Sequence, residues 1–324
     1  MRLLAALGAL CAGLFVAALM IGPAQIGIAE SFRGLLAGDG AAGLVMREIR
    51  LPRAVLAALI GGCLGLSGAA MQGYLRNPLA EPGLIGVSAA AALGAVIAIQ
   101  TGFAAAFALA LPLSALAAAL LAVLLILFMA GPGGGSLALI LAGVAVSAFA
   151  GALTSLVLNL SPNPFAASEF VFWMMGSLAD RSWLHVVIAA PVMAVGAAMM
   201  WGIGRGLDAL TLGEDAAASI GIGLPGLRLR IVLGVAAMVG AATSVAGAIG
   251  FVGLVVPHLL RGRVGGRPGA LLPAAALGGA AMVLAADIAV RLVLPGRDLK
   301  LGVVMALIGA PVFLHLIWQQ RRGG

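Results

Sequence analysis

Apolar runs of about 20 residues, each closed by glycine, proline or a cluster of charge, follow one another from Leu3 to Trp318. A bilayer core about 30 Å thick takes a helix of roughly 17–25 apolar residues. That length divides the chain into ten segments, at 3-22, 53-72, 84-100, 104-129, 137-160, 184-204, 229-249, 250-260, 270-294 and 301-319. The eighth is too short to cross as an ordinary helix and is expected as a half-helix or a strongly tilted piece. It belongs to SVAGAIGFVGLVVPHLLR at 244-261, where Gly247, Gly250 and Gly253 interrupt the run and Pro257-His258 is expected to end it. Glycine costs about 1 kcal/mol per helix position relative to alanine, and proline about 3. Such breaks are tolerated in lipid where protein or a water-filled cavity satisfies the freed backbone groups. The pattern predicts an all-α polytopic membrane protein with about ten transmembrane helices, a short broken eighth helix, and one membrane domain over 1-324.

Composition agrees with that setting: 63% of residues are hydrophobic, 9% are charged, and the mean hydropathy is +1.19. The 48 glycines predict crowded helices, because lipid gives helices no hydrophobic reason to associate and small residues let their backbones approach. The net charge of +7 is scattered over segment ends with no basic stripe, which argues against nucleic-acid binding. Cys11 and Cys63 lie inside apolar runs and read as small buried hydrophobes. The first run is longer than a signal-peptide core and no A-x-A site closes it, so it is expected to remain as the first span.

An even number of crossings places both termini on one side. With that side cytoplasmic, ten basic residues fall inside (Arg2, Arg76, Arg205, Arg228, Arg230, Arg261, Arg263, Arg267, Arg321 and Arg322). Eight fall outside (Arg33, Arg47, Arg50, Arg53, Arg181, Arg291, Arg297 and Lys300), a small positive-inside bias. Trp183, Trp201 and Trp318 sit near span ends, where interfacial anchors belong. Residues 23-52 read as a long, partly polar loop ending in REIRLPR, and residues 161-183 as a surface connection with a short helix around Trp173. The connection from Arg205 to Arg230 is the most soluble-looking part of the chain. It carries acidic residues at the start of an alanine-rich helix and Gly221, Gly223 and Pro225 at its end. A docking element and an ordered loop without a partner both fit it. Gly61, Gly68, Ala69 and Pro78 recur as Gly240, Gly247, Ala248 and Pro257, which is either chance or the trace of an inverted repeat.

Catalytic chemistry is thin. The one lysine, Lys300, is followed by Leu301, so GPGGGS at 131-136 is no Walker loop, and any ATP must be hydrolysed by another chain. His185, His258 and His315 are dispersed, no cysteine cluster accompanies them, and no cofactor or metal site is expected. Asp287 and Arg291 stand four apart near the end of the ninth segment, in the order that favours a helical ion pair. Charges at such depth are functional candidates by default, and here a purely structural pair fits equally.

Taken together, RLPR at 50-53, SGAAMQGYLRNPLAEPGLIGVS at 67-88, FWMMGSL at 172-178, LGEDAAASIGI at 212-222, GAIGFVGLVVPHLLR at 247-261, LLPAAALGGAAMVLAADIAVR at 271-291 and LGVVMALIGAPVFL at 301-314 resemble the FecCD-like permeases. These are the membrane subunits of ABC importers for iron-siderophores, haem and vitamin B12. The resemblance implies a multi-pass protein of the bacterial inner membrane with a second permease copy, two cytoplasmic ATPases and a periplasmic substrate-binding protein as partners. It further implies that Arg50, Arg53 and Arg291 receive the binding protein. The segment 212-222, led by Leu212, Gly213 and Glu214, becomes the coupling helix for the ATPase, and Asn77, Leu79 and Ser136 the cytoplasmic gate. Lys300 in LKLG and the glycine-rich 131-136 depart from the family pattern. The rival reading from another class is an ion-driven secondary transporter with Asp287 as its coupling carboxylate.

Overall fold

Helices form over every apolar run in a computed structural model of the chain, which describes residues 1–323 apart from 25, 108, 132–134 and 294–298. Side chains are described throughout that set except at 84, 316, 317 and 319–323. Arg297, the glycine loop at 132–134 and the side chains of Arg321 and Arg322 therefore lie outside the described residues.

The first run is α1 (Arg2–Met20). The connection expected as a loop at 23-52 is mostly helical: α2 (Ile28–Ala37), α3 (Gly40–Leu44) and a π-helical turn over Val45–Arg50 that runs directly into α4 (Leu51–Tyr74). Apolar positions at Ile28, Phe32 and Leu36 give α2 one apolar face, and Gly38, at φ +79°, ends it in the left-handed conformation that favours glycine. A 3-10 turn at Pro82–Ile85 leads to α5 (Val87–Gln100). The fourth run is divided at an extended Phe107 into α6 (Phe103–Ala106) and α7 (Ala110–Ala130). Then follow α8 (Ser136–Asn159), α9 (Ala166–Met174) and α10 (Trp183–Met199). The soluble-looking connection holds α11 (Gly204–Leu210) and α12 (Glu214–Ser219). The chain closes with α13 (Leu224–Ala246), α14 (Val252–Arg261), α15 (Pro268–Val293) and α16 (Leu301–Gly323).

Six stretches among the described residues are long and apolar enough to cross a membrane: α1, the continuous Gly40–Tyr74, α7, α8, α13 and α15. The α10–α11 pair, bent by 53°, makes a seventh if counted as one span. At 14 and 10 residues, α5 and α14 are short for a crossing. The helices alternate in direction, so one end of the bundle, here called upper, gathers residues 20–50, 160–183 and the end of α15. The lower end gathers the turns at 75–82, 199–224 and 261–268.

Small residues set the packing. α4 lies backbone to backbone on α15: a Cβ on Gly61 would overlap the Gly279 carbonyl, and one on Gly65 the Ala275 carbonyl. A Cβ on Gly68 would overlap Gly253 of α14 in the same way. Within 244-261 Gly253 packs closely and Gly247 meets the Trp173 carbonyl, whereas Gly250 has room for a side chain, and the stretch ends differently from the expectation. α13 stops at Gly247 (φ +72°), and α14 starts after Phe251, a non-glycine residue at φ +68°. Two contacts hold that strained residue: its N–H donates to Glu81 Oε1 at 2.9 Å, and its side chain fills the space a Cβ would need at Gly309.

Pro257 does not end α14, which continues to Arg261. The carbonyl left without its helical donor by Pro257 is that of Gly253, and it accepts from Gln72 Nε2 at 3.3 Å. The four-residue echo likewise marks unlike places. Gly68 lies inside α4 whereas Gly247 caps α13, and Pro78 lies in a turn whereas Pro257 is helical.

Replacing Gly68 by valine is expected to destabilise the protein by about 1–3 kcal/mol or more through overpacking, whereas Gly13→Val, where a side chain meets nothing within 4 Å, is neutral. Melting of the two variants in detergent, followed by fluorescence size-exclusion, checks this; equal midpoints would contradict the packing.

Candidate functional site

At the upper end a buried charge cluster is built on the C-terminus of α1. A helix ends with four carbonyls that lack intrahelical donors. In α1 the carbonyl of Ala17 takes the Ile21 N–H at 2.9 Å. Leu19 and Met20 accept from Arg50 Nη1 at 2.8 and 3.0 Å, and Ala18 accepts from Arg291 Nη1 at 2.8 Å. Two carbonyls of the following turn are used as well, Ile21 by Arg291 Nη1 (2.6 Å) and Ala24 by Arg50 Nη2 (2.6 Å). Positive charge is favourable at a helix C-terminus, so both guanidiniums cap α1 by charge as well as by hydrogen bond.

Asp287 of α15 balances the cluster. Its Oδ1 accepts from Arg53 Nε at 2.9 Å and Nη2 at 2.8 Å. Its Oδ2 lies 2.8 Å from Arg291 Nη2, an ion pair without the alignment of a hydrogen bond. The carboxylate is 0% exposed. The i,i+4 pair with Arg291 expected from spacing is present, but Arg53, 234 positions away in sequence, makes the hydrogen-bonded contact.

Arg50, Arg53 and Arg291, expected at an outward-facing docking rim, thus meet in one place and point inward. Arg50 is only 4% exposed, and the side chains of Arg53 and Arg291 are 17% and 5% exposed. The physical reason is the set of unpaired carbonyls within 18–24 for Arg50 and Arg291, and the buried Asp287 carboxylate for Arg53, which spacing along α4 and α15 does not disclose. Arg47 behaves similarly, donating to the carbonyls of Leu35 (2.9 Å) and Leu36 (2.6 Å) at the end of α2. Trp183, expected as an interfacial anchor, donates its indole N–H to the Arg47 carbonyl at 2.8 Å, whereas Trp201 is exposed.

The lower end carries the exposed segment. The helix expected over 212-222 is shorter, six residues at Glu214–Ser219, because Gly213 (φ +108°) and Gly221 (φ +85°) take left-handed conformations on either side of it. Leu212, 75% exposed, and Gly213 form the turn before α12, and Glu214 opens the helix. Asn77 Oδ1 accepts from Leu79 N–H at 2.9 Å, which fixes the exposed turn after α4. Ser136 is the first residue of α8, at the same end. Nearby, Arg261 Nη2 donates to Gln72 Oε1 at 2.8 Å, so Gln72 links α4 to α14 through both ends of its amide.

Cavities among the described residues include one of about 200 Å³ at the lower end beside Gln72, Arg76, Thr211 and Arg261, and two others. One of about 190 Å³ sits at the α13–α14 break, lined by Ile60, Leu64, Glu81, Ser88 and Thr243. A larger one of about 460 Å³ opens beside α9, lined by Asn163, Glu169, Trp173, Arg181 and His185. Sequence reasoning missed Gln72 and Glu81. A polar residue inside or beside an apolar span was the available signal, but the backbone groups they meet, the Gly253 carbonyl and the Phe251 N–H, carry no residue type and no side-chain pattern reveals them.

A model of the FecCD transport family matches residues 10–319. The hemin transport system permease protein of Yersinia pestis is 38% identical over 310 residues, covering 94% of this chain and 92% of that protein. The vitamin B12 import system permease protein of Vibrio cholerae serotype O1 is 40% identical over 283 residues, covering 83% and 81%. A solved inward-facing structure described as a metal-chelate type ABC transporter superposes with a TM-score of 0.87 at 30% identity, over 98% of this chain and 99% of its own.

Removing the carboxylate by Asp287→Leu leaves two guanidiniums without their counter-charge, a loss of roughly 3–5 kcal/mol for a buried pair. Asp287→Leu is therefore expected to abolish the folded, monodisperse species, and the triple change Arg53→Met, Asp287→Leu, Arg291→Met to recover part of it. Size-exclusion profiles of the two variants test this; a stable Asp287→Leu protein would refute the pairing.

Proposed function

The chain belongs to the FecCD transport family and is a permease subunit of an ABC importer of the haem, iron-siderophore and vitamin B12 class; from that premise we propose how its two ends work. The protein sits in the bacterial inner membrane as ten membrane helices, with α16 among the crossings and α5 and α14 completing those that length alone does not secure. Two copies enclose one pathway. A periplasmic binding protein loads cargo at the upper end, and two cytoplasmic ATPases engage the lower end.

At the lower end the exposed turn from Leu212 to Glu214 is the observation that carries the coupling role. An apolar side chain held out by a glycine at φ +108° gives an ATPase a small knob on a stiff support. ATP binding and hydrolysis change the relative stability of inward-open and outward-open states, and only a contact that differs between the two states transmits such a change. Asn77 and Leu79, in the turn after α4, and Ser136, at the start of α8, form the gate on this side. At the upper end Arg50 and Arg291 hold the docking surface in shape by clamping α1. Arg53, the least buried of the three, is the member of the cluster that turns to binding-protein carboxylates on docking, giving up part of its hold on Asp287. Rim charges of this kind act chiefly on association rate and register.

Asp287 as an ion-coupling carboxylate has no support in the geometry, because both of its oxygens are occupied by arginine.

The test is uptake into proteoliposomes containing permease, ATPase and binding protein, with haem, a ferric siderophore and cobalamin offered in turn. ATP-dependent uptake of one of them is expected, and Gly213→Val is expected to lower it at least tenfold while ATP hydrolysis falls less than threefold. Uptake driven by an ion gradient without ATP, or normal uptake by Gly213→Val, would overturn the reading.

A further inference from the structure

The turn at 212–214 has to be mechanically joined to the spans if a force applied to it is to move them. Apolar contacts are available, Leu207 of α11 against Gly73 of α4 and Gly206 against Leu227 of α13, but such contacts slide. A directional connection joins α11 to α15, while Arg230 of α13 separately holds the Met199 and Trp201 carbonyls just before α11. Asp208, in α11, accepts the backbone N–H of Gly269 on its Oδ1 at 2.7 Å. Gly269 is the second residue of α15, so the carboxylate sits at the positive end of a 26-residue helix. Such charge-assisted bonds are short and roughly twice as strong as neutral ones. The ion pair of Asp208 Oδ2 with Arg267 at 3.4 Å is largely exposed and adds little.

The backbone of the same residue holds the other side. The Asp208 carbonyl accepts from the Thr211 hydroxyl at 2.7 Å and from Thr211 N–H at 3.3 Å, while Leu212 N–H and Gly213 N–H bond to Ala209 (3.0 Å) and Leu210 (3.1 Å). The exposed turn is thus locked onto α11 by consecutive bonds. Around the carboxylate there is no slack: a Cβ on Gly269 would come within 2.9 Å of both Asp208 Oδ2 and the Gly204 carbonyl. α15 in turn is locked to α4 at Gly61, Gly65 and Gly279, and it carries Asp287 about 27 Å further along its axis at 1.5 Å per residue.

We propose that Asp208 is a positioning residue for energy coupling, through which movement of the 212–214 turn is delivered to α15 and, with it, to α4 as one rigid pair. The proposal rests on the ATPase-docking role given above to Leu212, Gly213 and Glu214. A carboxylate at this place ties the ATPase-facing turn to the helix that ends in the upper charge cluster, so the two ends share one lever.

The experiment uses the assembled permease–ATPase complex with its binding protein in proteoliposomes, and reads ATP hydrolysed per cargo molecule imported. Asp208→Ala is expected to raise that ratio at least tenfold with basal hydrolysis within twofold of the parent. Asp208→Asn keeps an acceptor for Gly269 and is expected to stay within threefold of the parent. Asp208→Glu keeps the charge but lengthens the reach by one methylene, and is expected to raise the ratio at least threefold. If Asp208→Ala fails to assemble, Asp208→Glu carries the decision. Parental ratios in Asp208→Ala and Asp208→Glu would overturn the proposal, as would an Asn variant as uncoupled as the alanine one. Gly213→Val, run in parallel, separates the two ideas: normal coupling there removes the docking role itself, whereas uncoupling there with normal coupling at position 208 removes only the lever.

Discussion

The backbone-to-backbone contact of α4 with α15 is the constraint on which the remaining architecture rests. Lipid is as apolar as leucine, so two helices gain nothing by hiding large side chains from it; they gain by close contact and by hydrogen bonds. Gly61, Gly65 and Gly279 remove the side chains that would hold these helices apart. Once they are in contact, Arg53 of one faces Asp287 of the other. α14 joins the same pair through Gly68 and Gly253, and its irregular backbone is then completed by groups from outside it, Gln72 for the Gly253 carbonyl and Glu81 for the Phe251 N–H.

That order of causes explains what was legible beforehand. Each apolar run showed itself by length, because the period of a buried membrane helix leaves a long, unpunctuated signal. The broken eighth segment showed itself by its glycines, and the family by motifs distributed along the chain. Helix in 23-52 was hidden by the short length of its pieces. The true end of α14 was hidden because Pro257 ordinarily signals a stop, and here a glutamine from another helix accommodates it.

The charged residues illustrate the same limit more sharply. An i,i+4 spacing disclosed Asp287 with Arg291, since that contact depends on one helix alone. Nothing along the chain discloses that Arg50 and Arg291 meet the carbonyls of α1, because backbone acceptors carry no residue type. Placing them on an outward-facing docking rim treats every arginine at a span end as solvated. An arginine at such an end has two places to go, water or an unfinished helix terminus, and only the fold decides between them.

The clamp on α1 also has a consequence for the order in which the protein is made. The carbonyls at Leu19 and Met20 wait for Arg50, about 30 residues later, and those at Ala18 and Ile21 wait for Arg291, 273 and 270 positions away. During synthesis the first helix therefore enters the membrane with an open end, is half closed when the second span arrives, and is sealed only when the last-but-one has been inserted. The amino-terminal helix is the first to be written and among the last to be fastened, so a chain truncated before position 291 leaves its beginning, as well as its end, unfinished.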